Sequence, residues 1–246
     1  MNIQVISIFP SMFSAITDYG VIGRAITDGV LEFDVHDLRD FSQDKHRSVD
    51  DRPYGGGPGM VMMAQPLALA IEFATERVKE LPTKVVYLSP QGQQLSHDLA
   101  VKGAQEQALI LIAGRYEGID QRIIDEYVDE QWSIGDYVLS GGELAAMVVV
   151  DALLRQLPEV LGNQESAEQD SFAAGLLDCP HYTRPECFNG RQVPKVLLSG
   201  DHQKIERWRL KQALKATKSL RPDVLKKKEL NKEESALLNE LKLESK

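Results

Sequence analysis

The sequence predicts an α/β fold: a parallel sheet with flanking helices, plus a small C-terminal helical domain. Three observations lead there. Short apolar runs suited to strands alternate with segments of helical period from the first residues onward. Three of those runs, at 84–88, 109–113 and about 136–139, each end in a glycine-bearing turn. After Pro158 apolar periodicity gives way to a polar stretch, and then to a basic, helical one.

Taken in order, Ile3 to Phe9 reads as a buried strand ended by Pro10. Ser11 is placed to cap a helix over Met12 to Asp18, which Gly20 can close, and Gly23-Arg24 starts a second short helix. Leu31 to Leu38 alternates in part and reads as a strand, so the opening is β-α-β. Asp44 to Met60 is charged and then glycine-rich. It lacks the Gly-Lys-Ser/Thr of a phosphate loop and the spacing of a dinucleotide fingerprint. Arg47, Asp50, Asp51 and Arg52 cluster beside its glycines, which favours a functional loop.

Gln65 to Leu81 is an amphipathic helix, with Leu67, Ala70, Ile71, Ala74 and Val78 at helical spacing. Lys84 to Leu88 is a strand, Ser89 to Gly92 a turn, and Ser96 to Gln107 a helix. Leu109 to Ala113 is an apolar strand followed by the turn Gly114 to Gly118 and a helix over Asp120 to Glu126. Val128 to Trp132 leads into Trp132-Ser-Ile-Gly-Asp-Tyr-Val-Leu-Ser-Gly-Gly-Glu143. Val138 and Leu139 are its strand-like part and Ser140 to Gly142 a tight turn. Glu143 then opens an apolar helix, Leu144 to Leu157, as an acid complementing the helix dipole.

Alternation of strand and helix implies parallel pairing, which puts all three glycine turns on one edge. Ligands of open α/β sheets sit at that edge. Gln91-Gly92, Gly114 to Glu117 and Ile134 to Gly142 can then converge on a pocket of backbone polar groups, with Tyr87, Tyr116 and Tyr137 nearby. Such walls suit a purine. The missing fingerprint disfavours a nicotinamide cofactor, and a tight connection without a ligand is the plainer alternative.

The polar run Gly162 to Ser171 marks a boundary: a cofactor-binding domain over 1–161, a flexible linker over 162–175 and a helical domain over 176–246. The formal charge is −9, unevenly spread. Residues 1–175 carry 12 Lys and Arg against 27 Asp and Glu, while 176–246 carry 16 against 10. A basic tail on an acidic body suits a polyanion. In the helix Asp201 to Ser219, Lys204, Arg207, Lys211, Lys215 and Lys218 fall within an arc of about 80°. Trp208 lies beside that arc, so the face offers phosphate contacts and a stacking surface, with a merely solvated face as the alternative. Lys226-Lys-Lys-Glu reads as a solvated junction, and Asn231 can cap a last helix whose Leu237, Leu238 and Leu241 pack back on the body.

Two cysteines give no disulfide framework, and Cys179, His181 and Cys187 lack a fourth ligand and zinc-type spacing, so no metal site is expected. No apolar run nears the roughly 18 residues of a membrane span, and no secretory leader pattern opens the chain. A cytoplasmic protein with no membrane association is expected, and no protein partner is evident. Asp170 stands out as an acid between the two domains, suited to general-base work if the linker folds over the pocket.

Val49 to Met60, Leu88 to Gly92, Gly114 to Asp120, Trp132 to Leu139, Asp170-Ser-Phe172 and Leu177 to Pro185 closely resemble, in order and over nearly the full length, the bacterial TrmD family of tRNA (guanine-N1)-methyltransferases. The resemblance implies a SPOUT-class domain tied in a deep trefoil knot, which ordinary topology disfavours. It implies a homodimer with S-adenosyl-L-methionine in the knot loops at the subunit interface. The methyl acceptor would be N1 of guanosine 37 in the tRNA anticodon stem-loop. Cofactor-binding positions then map to Tyr87, Leu88, Ser89, Pro90, Gln91, Gly92, Gly114, Tyr116, Glu117, Ser133, Ile134, Gly135, Asp136, Tyr137, Val138, Leu139, Gly141 and Gly142. Asp170 matches the general base, and Arg155 the arginine that contacts the guanine. Ser166, Asp178, His181, Tyr182 and Arg184 fall in segments of tRNA contact or domain placement, joining Lys204, Arg207, Lys211 and Lys215 of the stripe. Mg2+ enters as an auxiliary ion, without a cage visible in this sequence. Two departures stand out: Ala145 where proline is expected, and Lys218 where tryptophan usually stands. A ribose-directed methyltransferase of the same class and a non-catalytic RNA-binding module are the rival readings.

Overall fold

The computed structural model describes residues 1–158, 160 and 170–244. It contains two compact units, Met1–Gly162 and Asn163–Lys246.

In the first unit, β1 (Asn2–Ser7), β2 (Glu32–Asp37), β5 (Thr83–Gln94), β6 (Ala108–Ala113) and β7 (Glu130–Ser133) form one sheet in the order β2-β1-β6-β5-β7, every pair parallel. A two-stranded hairpin, β3 (Asp50–Asp51) with β4 (Val61–Met62), closes the glycine-rich loop. The helices are α1 (Ser14–Thr17), α2 (Gly20–Thr27), α3 (Ala64–Arg77), α4 (His97–Gly103), α5 (Gln121–Tyr127) and α6 (Glu143–Leu154).

The central strand β6 is buried throughout, so its side chains feed two cores by simple alternation. Leu109 and Leu111 join Val86, Trp132 and the α6 residues Val149, Val150 and Leu153 on one face. Ile110 and Ile112 join Val85, Ile123 and the α3 residues Leu67, Ala70 and Ile71 on the other. Each such Leu or Ile contributes about 1.5–3 kcal/mol relative to exposure. Along β1, the buried Gln4 amide donates to Asn2 and to Asp34 of β2, and His36 Nε2 lies 2.6 Å from Gln4 Oε1.

Several sequence expectations need correction. The helix expected over 12–18 is a 3-10 turn, Pro10–Phe13, followed by the single turn α1, and Ser11 makes no cap. Proline at the first turn position presets the backbone there instead. The strand expected near 136–139 is absent: β7 ends at Ser133, and Val138 is 86 % exposed in the loop that follows. Two apolar residues between Gly135 and Gly141 are too few for a ladder, whereas Trp132 is buried and anchored by its Nε1–H to Glu130. Ser89 to Gly92 does leave the ladder, but inside a longer strand: Leu88 and Gln93 both pair with Trp132, and the four residues between them bulge out. Helices α4 and α5 start where Ser96 and Asp120 cap them, and α4 stops short of Gln107.

The second unit holds a small hairpin, β8 (Cys187–Phe188) with β9 (Arg191–Gln192), and the helices α7 (His202–Leu220), α8 (Pro222–Lys227) and α9 (Lys232–Glu244). Asn231 caps α9 reciprocally with Glu234. The last helix is built into this unit. Leu237, Leu238 and Leu241 form this unit's own core with Leu176 and Leu214. Lys228 is no solvated junction either, since it donates to the Ala174 carbonyl at 2.6 Å and pairs with Glu234. Among the described residues no helix is long and apolar enough to cross a membrane.

Candidate active site

The carboxyl ends of β5, β6 and β7 bring three loops to one edge of the sheet, and these enclose a cavity of about 410 Å3. Its walls hold Tyr87, Leu88, Ser89, Pro90, Gln91, Gly114, Tyr116, Glu117, Ser133, Ile134, Gly135, Tyr137, Val138, Leu139, Gly141 and Gly142. Of the positions expected around the cofactor, only Gly92 and Asp136 stay out of the wall. Gly92 packs against the Gln131 backbone of β7, and Asp136 is exposed. The wall also takes in Arg115 and Ser140, which lie in the segments expected to converge, and Trp132 and Ala145, which lie outside them.

Two glycines allow the loops to meet. A Cβ on Gly142 would lie 2.8 Å from Ala113 Cα, and one on Gly114 2.7 Å from the Tyr87 ring. With neither present, the Gly142 amide donates to the Gly114 carbonyl at 2.7 Å. The loop after β7 is braced internally: the Gly135 amide donates to the buried Ser133 hydroxyl, which itself donates to the Gly135 carbonyl, and the Tyr137 hydroxyl donates to the Ile134 carbonyl. The 114–118 loop is stitched to β4, because the Glu117 amide donates to the Met60 carbonyl and the Met62 amide to the Gly118 carbonyl. The glycine-rich loop is thereby tied to the cavity rim.

Burial pushes the Tyr87 phenol above its ordinary value, and a backbone hydrogen bond from Ile119 only partly opposes this. Tyr87 therefore stays neutral. Tyr116 occupies left-handed backbone at φ 61°, and burial followed by the charge and hydrogen bond of Asp50 raises its phenol. That pair, unremarked in the sequence, links the cavity rim to β3. Glu117 and Arg115 are the charged side chains of the wall. A neutral phenol, backbone donors and acceptors, apolar and aromatic cover and one exposed carboxylate fit a cationic adenosine-type ligand.

The remaining expected residues lie elsewhere. Arg155 ends α6 and is outside the cavity wall. Asp170 starts a tight turn in the second unit, where the Ala173 amide donates to its carbonyl at 3.2 Å. Residues 170–175 are thus a built turn, held to the core by Leu176. Ser166 lies outside the described residues. Asp178 accepts from His181 at 2.7 Å; burial pushes its carboxyl up, but hydrogen bonds from His181 and the Cys179 amide outweigh this and hold it below the usual range. Asp178, Cys179 and His181 keep their donor atoms within 4.8 Å of one another, so Asp178 and not the exposed Cys187 is their neighbour.

The basic stripe is only partly open. Lys204 pairs with Asp201, and Arg207 and Lys211 share Glu240, whereas Lys215 and Lys218 are exposed. Tyr182 and Trp208 lie 6.3 Å apart at 55°, a tilted aromatic corner that spacing along the helix could not reveal. Arg184, two residues after Tyr182, is exposed.

A parallel sheet with a cavity of backbone groups at its carboxyl edge defines an α/β protein built to hold a small nucleoside-like ligand. The family model for tRNA (guanine-1)-methyltransferase TrmD matches residues 1–227. The chain belongs to that family. Among its relatives is a tRNA (guanine-N(1)-)-methyltransferase of Idiomarina loihiensis, 60 % identical over 98 % of this chain and 95 % of that one. Proteins of the same name from Psychromonas ingrahamii and Serratia marcescens are 58 % and 57 % identical, over 100 % and 99 % of this chain and 100 % and 95 % of theirs.

Proposed function

We propose that this protein transfers the methyl group of S-adenosyl-L-methionine to N1 of guanosine 37 in tRNA, acting as a cytoplasmic homodimer whose α/β domain carries the deep trefoil knot of its family. The observation that carries this reading is the cavity wall: the cofactor positions implied by family resemblance, Gly92 and Asp136 apart, meet around one space.

S-adenosylmethionine, when bound, supplies a methyl group that is already electrophilic. This chain's residues bind and orient. Backbone groups of the three loops read the adenine edge, the apolar residues cover its faces, and Glu117 offers a carboxylate to the ligand's positive charge. Guanine N1 carries a proton at neutral pH, so a base must remove it during transfer. Asp170 takes that proton, and Arg155 steadies the charge that develops on the guanine. A base held in the second unit makes the reaction depend on tRNA engaging both units. The anticodon loop is single-stranded, so its base edge is open to reading. Lys215, Arg184 and the Tyr182–Trp208 corner receive the stem-loop, with Asp178 and His181 shaping the segment beside it. Mg2+ belongs to this reading as an auxiliary ion only.

Two features support the dimer. Helix α6 is apolar almost all round, the character of a covered helix, yet Leu144 and Val148 are each 47 % exposed and Val138 86 %. Arg155 lies at the far end of α6, about 20 Å of helix axis from Gly142. A second copy would cover the apolar face and bring another Arg155 to the cavity.

The test is transfer of labelled methyl from S-adenosylmethionine to an unmodified tRNA transcript, beside one with adenosine at position 37. Label on the first alone is expected. Equal label on both would redirect the reading to ribose methylation or another base. Bound tRNA without label would leave an RNA-binding module.

A further inference from the structure

Glu143 has no solvent exposure at all, yet it does not line the cavity. An acid in a first helical turn ordinarily faces water and complements the dipole. Here the carboxylate is divided between two partners. Oε2 accepts from Arg115 Nε at 2.8 Å, and Oε1 accepts from the Ser7 hydroxyl at 2.9 Å. Ser7 in turn accepts from the Phe9 amide at 2.9 Å.

Arg115 turns Nη2 to Met12 Sδ at 3.7 Å and Nη1 to the neighbouring loop. Its Nη1 donates to the Ser140 carbonyl at 3.1 Å, and its backbone bridges to Gly141. The planar group is clamped from outside by the Phe9 ring, 4.6 Å from Cζ to centroid. One guanidinium thus holds the Glu143 carboxylate, the Ser140 carbonyl and the Phe9 ring at once, and its planar fork meets them in one geometry. That geometry fixes the 140–142 loop against the 114–118 loop, the two loops that meet at the Gly142–Gly114 bond.

We propose that Glu143 is a positioning residue for the cavity: acting through Arg115, with Ser7 as its brace, it sets the register of two of the three loops. The proposal rests on the reading that the cavity takes S-adenosylmethionine. Glutamine at 143 keeps an acceptor for Arg115 and an amide for the Ser7 oxygen. Alanine keeps neither. Lysine at 115 keeps a charge for Glu143, but one ammonium at the end of a flexible stem lacks the fork that reaches Ser140 as well.

The experiment is calorimetric titration of S-adenosylmethionine into full-length wild type, Glu143→Ala, Glu143→Gln and Arg115→Lys, well below each melting midpoint. It is joined by steady-state kinetics and by hydrogen exchange at the Gly142 amide in ligand-free protein. Expected are a rise in Kd of about tenfold or more for Glu143→Ala and Arg115→Lys, and of about threefold or less for Glu143→Gln. KM for S-adenosylmethionine rises in step while KM for tRNA holds, a split that general destabilisation would not give. Exchange at Gly142 speeds up in the two weak variants. Wild-type affinity in Glu143→Ala, or a Gln variant as weak as Ala, overturns the proposal. If Glu143→Ala does not fold, Arg115→Lys decides: unchanged Kd and unchanged exchange overturn it. Wild type that binds no S-adenosylmethionine overturns the cavity reading instead, and the exchange data still judge the loop register.

Discussion

The Gly142 amide and the Gly114 carbonyl meet at 2.7 Å, joining the helix start of α6 to the end of β6 across the cavity floor. The approach depends on a missing side chain, because a Cβ at 142 would lie 2.8 Å from Ala113 Cα and 3.0 Å from its carbonyl carbon. Backbone cannot yield cheaply on either side. Gly142→Ala should cost about 1–3 kcal/mol of stability by overpacking and weaken S-adenosylmethionine binding about tenfold. Thermal melts and calorimetric titration check both effects.

Asp170 should separate chemistry from binding. Asp170→Asn keeps the side chain's size and removes its basicity, so single-turnover methyl transfer should fall by about 10²–10⁴ while S-adenosylmethionine affinity stays at wild type. A Kd that rose with the loss of rate would assign Asp170 to binding instead. The turn around it holds through backbone bonds, from the Ala173 amide to the Asp170 carbonyl and from the Gly175 amide to the Phe172 carbonyl. Neither depends on the carboxylate.

How far the sequence could be read depended on how local each feature was. Short apolar runs, continuous in β1 and β6 and partly alternating in β2, announced β1, β2, β5 and β6, because each is long enough for its pattern to register. The strand β7 was misplaced because it mixes Glu130 and Gln131 with Trp132, while Val138-Leu139 downstream looked more strand-like than it is. Glycine turns marked the cavity loops well, since a turn is a local event. The brace of Arg115, Glu143 and Ser7 was illegible, because Ser7 and Glu143 are brought together only by the sheet. The same holds for Asp50 beside Tyr116, and for Glu240 beside Arg207 and Lys211. Asp170 drew notice as a lone acid between two domains, but its match to a general base, and the whole role of Arg155, came from family resemblance.

His36 gives a pH dependence with a definite sign. Burial holds its imidazole below the ordinary value of 6.5; Asp34 opposes that shift and Arg77 adds to it. Its ring meets Gln4 Oε1 at 2.6 Å and the Phe73 ring edge-on at 5.3 Å. A folded-state value below the unfolded one means the unfolded chain binds more protons between the two. The contribution is therefore present above about pH 6.5 and is lost as pH falls through the folded value. The melting midpoint of wild type should drop more between pH 7 and pH 5 than that of His36→Gln, which cannot titrate. Parallel curves would remove His36 as the source.

The apolar face of α6 predicts the oligomeric state and its consequence together. Leu144 and Val148 stand one helical turn apart and are both half-exposed on a helix with few polar residues. Burying such a face in a symmetric pair would contribute about 25 cal/mol per Å2, and a charge placed there would face desolvation without a partner. Val148→Glu should therefore convert the protein to a monomer by sedimentation while leaving its melting transition cooperative. Methyl transfer should fall with dimer content, because Arg155 and the cavity occupy opposite ends of the same helix. Mixing Arg155→Ala with a Gly142→Ala chain, at S-adenosylmethionine low enough to leave the weakened cavity largely empty, provides the complementary test. A mixed dimer pairs one intact cavity with one intact Arg155, so activity should reappear if the arginine acts across the interface. Failure to recover any activity from folded, mixed dimers would confine both residues to one subunit and remove the reason for the dimer.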